Sequence, residues 1–200
     1  MSILDFRRIS KLNKSQIYQI INIIKKVNTE TIISTLDASD LKKYLFIHLE
    51  NKKNYLFIAY LKKEIIGYIM YTDLKLEMLL INKLFFLYCF LKKLQIITIL
   101  NIFLKISHLD KFLFLPKNKK IYINSLNLSY LGIKQNYQSR GYGRKFFFET
   151  IKLLQKKRII TVETFNRNAQ RFYETKCKFK HLGNKFQFFK KIKVYYFLKH

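Results

Sequence analysis

The sequence predicts an α/β (α+β) domain built on a central mixed sheet with helices on its faces. Three observations predict it. Two β-rich runs, Tyr55–Tyr60 and Ile65–Tyr71, flank the polar Lys62-Lys63-Glu64, which marks a hairpin. Two other runs repeat apolar residues at helical spacing: Ile17, Ile20, Ile21 and Ile24 in one, Phe147, Ile151 and Leu154 in the other. The second half then alternates strand, helix and strand, the order of a layered sheet protein. The 200 residues suffice for one sizeable core and are too few for two, so a single domain over 1–200 is expected.

Element by element, residues 4–9 read as a short strand. Asn13 or Ser15 can cap the helix that carries Ile17 to Ile24. A second helix is expected near Leu41 to Leu49, with Ser39 as its cap. The hairpin follows. Residues 75–119 form an insertion with two apolar helical stretches, about Met78–Leu91 and Leu94–Leu104, then Pro116 and the basic Lys117, Lys119 and Lys120. From Ile121 a long strand is expected to run to Ile133. A polar loop from Lys134 to Arg140 leads through Gly141-Tyr142-Gly143 into an amphipathic helix, Lys145 to Lys157. Ile159–Glu163 reads as a short strand, and Asn166 opens a short helix with Ala169, Phe172 and Tyr173 on one face. Lys178–His181 and Val194–Leu198 supply the last strands.

Half the residues are hydrophobic and 26% are charged, which excludes a disordered tail. Cys89 and Cys177 cannot form a disulfide framework and lack metal-ligand spacing, so no metal site is expected. A spanning helix needs about 20 apolar residues. The best stretch, Met78 to Leu104, is interrupted by Asn82, Lys83, Lys92, Lys93, Gln95 and Asn101. The opening MSILDFRRIS has charge where a signal peptide needs an apolar core, so a cytoplasmic protein is expected. Peripheral membrane or protein contact through 75–119 is the alternative role for that segment.

The net charge is +27, a value that directs attention to anionic partners. It comes from 32 Lys and only 7 Arg. Lys is a point charge and lacks the planar fork that reads phosphates and bases, so DNA is not an expected partner. The same composition, rich in Lys, Ile, Asn, Phe and Tyr, is what AT-rich codons encode. From Lys117 to His200 there are 21 basic residues against Glu149, Glu163 and Glu174, a net of +18 that draws anionic ligands to the C-terminal part.

One stretch carries chemistry. A strand ending Leu131-Gly132-Ile133 meets a polar loop, two spaced glycines and a helix. The first turn of a helix has unpaired N–H groups and a partial positive charge. Gly141 and Gly143 remove side chains from that turn, so a phosphate can approach the backbone, and Arg140 and Arg144 can add charge-assisted bonds. Neither a Walker loop nor a Rossmann fingerprint fits, because no G-K-[ST] follows and position 146 is Phe.

Gln138-x-x-Gly141-x-Gly143 resembles the acetyl-CoA signature Q/R-x-x-G-x-G/A of the GNAT acyltransferases. Asn166-Arg167-Asn168-Ala169-Gln170-Arg171-Phe172-Tyr173-Glu174 is similar to the family's N-x-x-A-x-x-F-Y-E segment. The resemblance covers the chain apart from 75–119. It implies a mixed sheet of about seven strands, splayed between the fourth and fifth, with acetyl-CoA as acyl donor and no metal. It further implies that backbone groups of Leu131 and Ile133 pair with the pantetheine arm. Gln138, Ser139, Arg140, Gly141, Tyr142, Gly143 and Arg144 would wrap the diphosphate, Asn166 would hold the arm, and Tyr173 would protonate the leaving thiolate as the catalytic acid.

Three positions depart from the family pattern. Gln135 stands where proline is common. Thr175-Lys176-Cys177-Lys178-Phe179 replaces the usual glycine-aromatic exit. The expected fourth strand has no acidic residue between Ile121 and Ile133, where many relatives hold a general base. Asn124, Ser125, Asn127 and Ser129 ordering a water chain, His181, and Glu163 are the alternatives. The resemblance thus implies an N-acetyltransferase acting on a primary amine of a small molecule. The apolar insertion between the third and fourth strands is similar to the Leu/Phe-rich helical insertion of one branch of the family, which would imply an amino-sugar nucleotide as acceptor. A protein N-terminus or lysine as acceptor, a degenerate acyl-CoA-binding module, and a basic RNA- or membrane-surface binder are the other readings.

Overall fold

The computed structural model describes residues 4–29, 31–73, 84–89, 91, 121–122, 124–154, 159–187 and 190–199. Among the described residues, seven strands and four helices frame the site. They are β1 (Leu4–Ile9), α1 (Lys14–Val27), α2 (Ala38–Glu50), β2 (Tyr55–Leu61), β3 (Glu64–Asp73), β4 (Leu126–Ile133), α3 (Tyr142–Leu153), β5 (Ile159–Thr164), α4 (Arg167–Arg171), β6 (Lys180–Gln187) and β7 (Lys190–Leu198). The strand order is β1-β2-β3-β4-β5-β7-β6, with flanking helices, so the predicted mixed seven-stranded sheet is the observed one. The chain divides into two compact units, residues 1–72 with 128–157, and residues 73–127 with 158–200.

In the first unit, β1 pairs antiparallel with β2, and β2 with β3. The β2–β3 reversal is two residues long, with Lys62 at φ 48° and Lys63 at φ 69°. Positive φ at both central positions gives a turn whose twist matches the flanking strands. Glu64, expected within the turn, is instead the first residue of β3, opposite Leu61. Asn13 caps α1 in a reciprocal pair with Gln16, each side chain bonding the other's backbone N–H, a device that stabilises a helix by about 1 kcal/mol. Asp37, not Ser39, caps α2. Its carboxylate accepts the Asp40 N–H at 2.8 Å and the Ser39 hydroxyl at 3.0 Å. An anion is favoured at a helix start over a neutral hydroxyl, so the serine becomes a donor to the cap.

The apolar stripe of α1 buries Ile17, Ile20, Ile21, Ile23 and Ile24. Phe146, Phe147 and Ile151 of α3 are buried as well, with the Phe146 ring stacked on Phe6 of β1 at 5.2 Å. Each aliphatic side chain withdrawn from water stabilises by about 1.5–3 kcal/mol. Two glycines allow close approach around β4. A Cβ on Gly67 would stand 2.5 Å from Ile133 Cδ1 and 2.8 Å from the Gly132 carbonyl. One on Gly132 would stand 2.6 Å from Tyr68 Cε1 and 3.1 Å from Ile23 Cγ2.

In the second unit, β5 pairs antiparallel with β7, and β7 with β6. Ile160, Val162, Val194, Tyr195, Cys177 and Phe179 are buried there. The strand expected from Ile121 begins only at Leu126, because the chain first turns. Residues 121–122 are helical, and the Ser125 backbone N–H and hydroxyl both donate to the Tyr122 carbonyl. The last two strands run further than their apolar cores alone predict. Of the expected insertion helices, residues 84–89 are helical. Leu91 is helical too, whereas residues 78–83 and 90, and all of Leu94–Leu104, lie outside the described residues. Among the described residues no helix is long and apolar enough to cross a membrane, and no group of side chains could hold a metal ion.

Candidate active site

The loop between β4 and α3 is built so that a helix begins with bare backbone. Ser139 (φ 59°) and Gly141 (φ 78°) both adopt the left-handed conformation, which costs a non-glycine residue about 1–2 kcal/mol and glycine nothing. Gly141 occupies the N-cap position of α3 with no side chain capping it, and no atom lies within 4 Å of where its Cβ would stand. The first-turn N–H groups of such a helix have no intrahelical acceptor, and the place where a Gly141 side chain would stand is open. No acidic residue stands in that turn. Arg140 and Arg144 are exposed beside it, with the Arg144 guanidinium 5.8 Å from the Phe148 ring centre.

The loop is anchored at its other end. Lys134 Nζ donates to Glu64 Oε1 at 2.7 Å, and the Tyr137 hydroxyl donates to Glu64 Oε2 at 2.8 Å. The Lys134 N–H adds a bond to the Ile66 carbonyl at 2.8 Å. The Lys134 and Tyr137 bonds hold the Glu64 carboxyl below its ordinary range, and the same carboxylate pushes the Tyr137 phenol up. Tyr142 meets Tyr137 edge to face at 6.2 Å, which ties the first helical turn to this anchor.

The structure therefore gathers Leu131, Ile133, Gln138, Ser139, Arg140, Gly141, Tyr142, Gly143 and Arg144 on one strand end, loop and helix start. It also uses two of the backbone groups assigned to the donor. The Ile133 carbonyl accepts Gln138 Nε2 at 2.8 Å, and the Leu131 carbonyl accepts Asn28 Nδ2 at 3.4 Å. Gln138 thus acts inward, fixing the loop to the strand it leaves.

In the second unit, Asn166 caps α4, its Oδ1 accepting the Ala169 N–H at 3.0 Å. Tyr173 lies in a wide turn, Phe172–Lys176, closed by the Cys177 N–H donating to the Phe172 carbonyl. Such π-type turns recur at functional sites. Tyr173 is buried, its ring 5.2 Å from Phe172 and 5.4 Å from Phe179. Of the two adjacent rings Tyr173 is the buried one and Phe172 stays half-buried. Lys178 follows at φ 62°, so it takes the backbone conformation that glycine holds at the usual exit, and Phe179 follows it as the aromatic.

The candidates for a general base separate clearly. Asn124 is exposed. The Ser125 hydroxyl pairs with Thr161 Oγ1 at 2.7 Å, Asn127 Nδ2 donates to Thr161 Oγ1 at 3.4 Å, and the Ser129 hydroxyl donates to Thr72 Oγ1 at 2.8 Å. His181 is exposed, with its ring 5.5 Å from Tyr195. Glu163 is half-buried on β5 and accepts a short hydrogen bond from the Tyr122 hydroxyl. The sequence reading missed a polar face on α2, where Asp40, Tyr44 and His48 recur every fourth residue and are all buried. Neither Asp40 oxygen has a hydrogen-bond partner. His48 Nε2 lies 3.2 Å from the Tyr55 carbonyl, and burial lowers the imidazole pKa to about 4. The four-residue spacing was the available signal.

No protein-family profile and no curated protein matches the chain. Solved structures do. An acetyltransferase of the GNAT family from Bacillus cereus aligns over 99% of this chain and 99% of its own, at 12% identity and a TM-score of 0.56. The fold is that of the GNAT acetyltransferases. A spermidine N-acetyltransferase chimera from Vibrio cholerae covers 98% of this chain and 95% of its own at 15% identity, TM-score 0.60. A polyamine N-acetyltransferase from Drosophila melanogaster covers 98% and 100% at 10% identity, TM-score 0.62. These alignments cover 98–99% of this chain, and the loop before α3 follows directly on β4.

Proposed function

We propose that this chain transfers the acetyl group of acetyl-CoA to a primary amine of a small molecule. The observation that carries this reading is the uncapped start of α3. Gly141 opens it in the left-handed conformation, with free space above and with Arg140 and Arg144 on either side. On a GNAT fold, an anion-accepting turn after β4 suits the diphosphate of coenzyme A. Gln138 and Glu64 hold that turn in shape before any ligand arrives, which lowers the ordering cost of binding. In this reading Asn166 holds the pantetheine arm, a β4 N–H stabilises the oxyanion, and Tyr173 returns a proton to the departing thiolate.

The structures aligned above include spermidine and polyamine N-acetyltransferases, which supports a small amine as acceptor. An amino-sugar nucleotide is a second acceptor class, favoured by one observation, the net charge of +18 from Lys117 to His200. The test is acetyl-CoA binding by calorimetry and thermal shift. Wild-type protein is expected to bind and to gain stability, and Gly141→Trp and Gly143→Trp to lose binding while folded. Equal affinity in both folded variants would overturn the assignment of the loop.

A further inference from the structure

We propose that Glu163 takes the proton from the acceptor amine and that Tyr122 positions it. The proposal rests on the acetyl-transfer reading above. An ammonium group has no lone pair, so a transferase working near neutral pH needs a proton acceptor. β4 carries no acid at any position. Of the three carboxylates after Lys117, Glu149 is paired with Lys152 at 2.8 Å on α3, and Glu174 is exposed in the turn after α4. Glu163 is half-buried on β5 and held by the Tyr122 hydroxyl.

Its surroundings are ordered. Thr161 lies two residues earlier on the same face of β5, fully buried, and is bonded by Ser125 and Asn127, which are also buried. The row therefore runs from a sealed hydroxyl cluster to a carboxylate that solvent still reaches. The Tyr122 hydroxyl donates to Glu163 Oε1 and fixes the carboxylate in one orientation. Asn166, the residue proposed to hold the pantetheine arm, is three positions further along the chain. That is about 10 Å of extended backbone at most.

The protons balance as follows. The ammonium gives one proton to the Glu163 carboxylate, which passes it to solvent. The freed lone pair forms the C–N bond at the acetyl carbonyl while the C–S bond breaks. The second proton that nitrogen sheds on becoming an amide balances the one taken up by the thiolate. Products are the acetylated amine, coenzyme A thiol and one proton.

The experiment measures thiol release with spermidine, agmatine and an amino-sugar nucleotide from pH 6 to pH 10, for wild type and Glu163→Gln. The isosteric amide can still accept from Tyr122, so acetyl-CoA affinity and fold are expected to hold, checked by thermal shift. The kcat/KM of Glu163→Gln at pH 7 should fall by about 10²-fold or more. Its rate should then climb about tenfold per pH unit as the free amine accumulates, where the wild-type profile flattens. Tyr122→Phe removes a bond that favours the charged carboxylate, so its acidic limb should move to higher pH. Parallel wild-type and Glu163→Gln profiles would overturn the proposal alone. A wild type that binds acetyl-CoA yet releases thiol with none of these amines would overturn both the proposal and acetyl transfer.

Discussion

Acidifying the protein from pH 7 to pH 5 should remove about 2 kcal/mol of folding stability through His48 alone. His48 is fully buried, its Nε2 faces the Tyr55 carbonyl, and its Nδ1 has no partner. Desolvation lowers its pKa from 6.5 to about 4, and the Tyr55 bond offsets only part of that. Below pH 6.5 the unfolded chain takes up a proton that the folded chain refuses. Stability is therefore complete above pH 6.5 and drains away as pH falls toward 4. The full shift corresponds to about 3 kcal/mol, of which the interval from pH 7 to pH 5 samples about 2. The assay is urea unfolding at half-unit pH steps, for wild type and for His48→Gln, which keeps an amide donor and cannot titrate. Carboxylates elsewhere act equally in both proteins, so the difference between the two curves isolates the imidazole. Wild type should lose more stability than His48→Gln by about that amount. Curves that stay parallel from pH 7 to pH 5 would refute the reasoning.

Two further outcomes are expected. Gly132→Ala places a methyl 2.6 Å from Tyr68 Cε1, and Tyr68 is itself held by its hydroxyl bond to Asn28 at 2.7 Å. Overpacking of this kind costs about 1–3 kcal/mol, readable by chemical denaturation, and a loss under about 0.5 kcal/mol would show that the ring moves aside freely. Tyr173→Phe keeps the ring contacts to Phe172 and Phe179 and removes the hydroxyl. It should lower kcat by about 10²-fold while acetyl-CoA affinity stays the same, and an unchanged kcat would assign thiolate protonation to another group or to water.

Local chemistry made much of this legible in the sequence. The Asn13 cap, the Lys62-Lys63 reversal and the spaced glycines at the start of α3 each depend on a few neighbouring residues, and each stands where its chemistry places it. The α2 cap did not follow from residue preference alone, because Asp37 and Ser39 are both good caps and only a carboxylate gains from the helix field. The late start of β4 was hidden in the same way. Ile121-Tyr122 reads as strand by composition, whereas a serine two positions past the next residue folds the chain back on the Tyr122 carbonyl. Lys178 shows the converse. A lysine gives no sign of a left-handed backbone, yet the wide turn before it demands one. The pairing of Tyr122 with Glu163 joins residues 41 positions apart, and no spacing rule reaches that far.

Glu64 is the first residue after the two-lysine reversal, and its carboxylate holds both Lys134 and Tyr137. Alternate residues of a strand face opposite ways, so a one-residue slip of β3 at that reversal would turn the carboxylate to the other face of the sheet. In the acetyl-transfer reading, the register set at that surface reversal is thereby coupled to how firmly the protein grips its acyl carrier. Homologues that vary there should drift in affinity for the carrier while their chemistry stays intact.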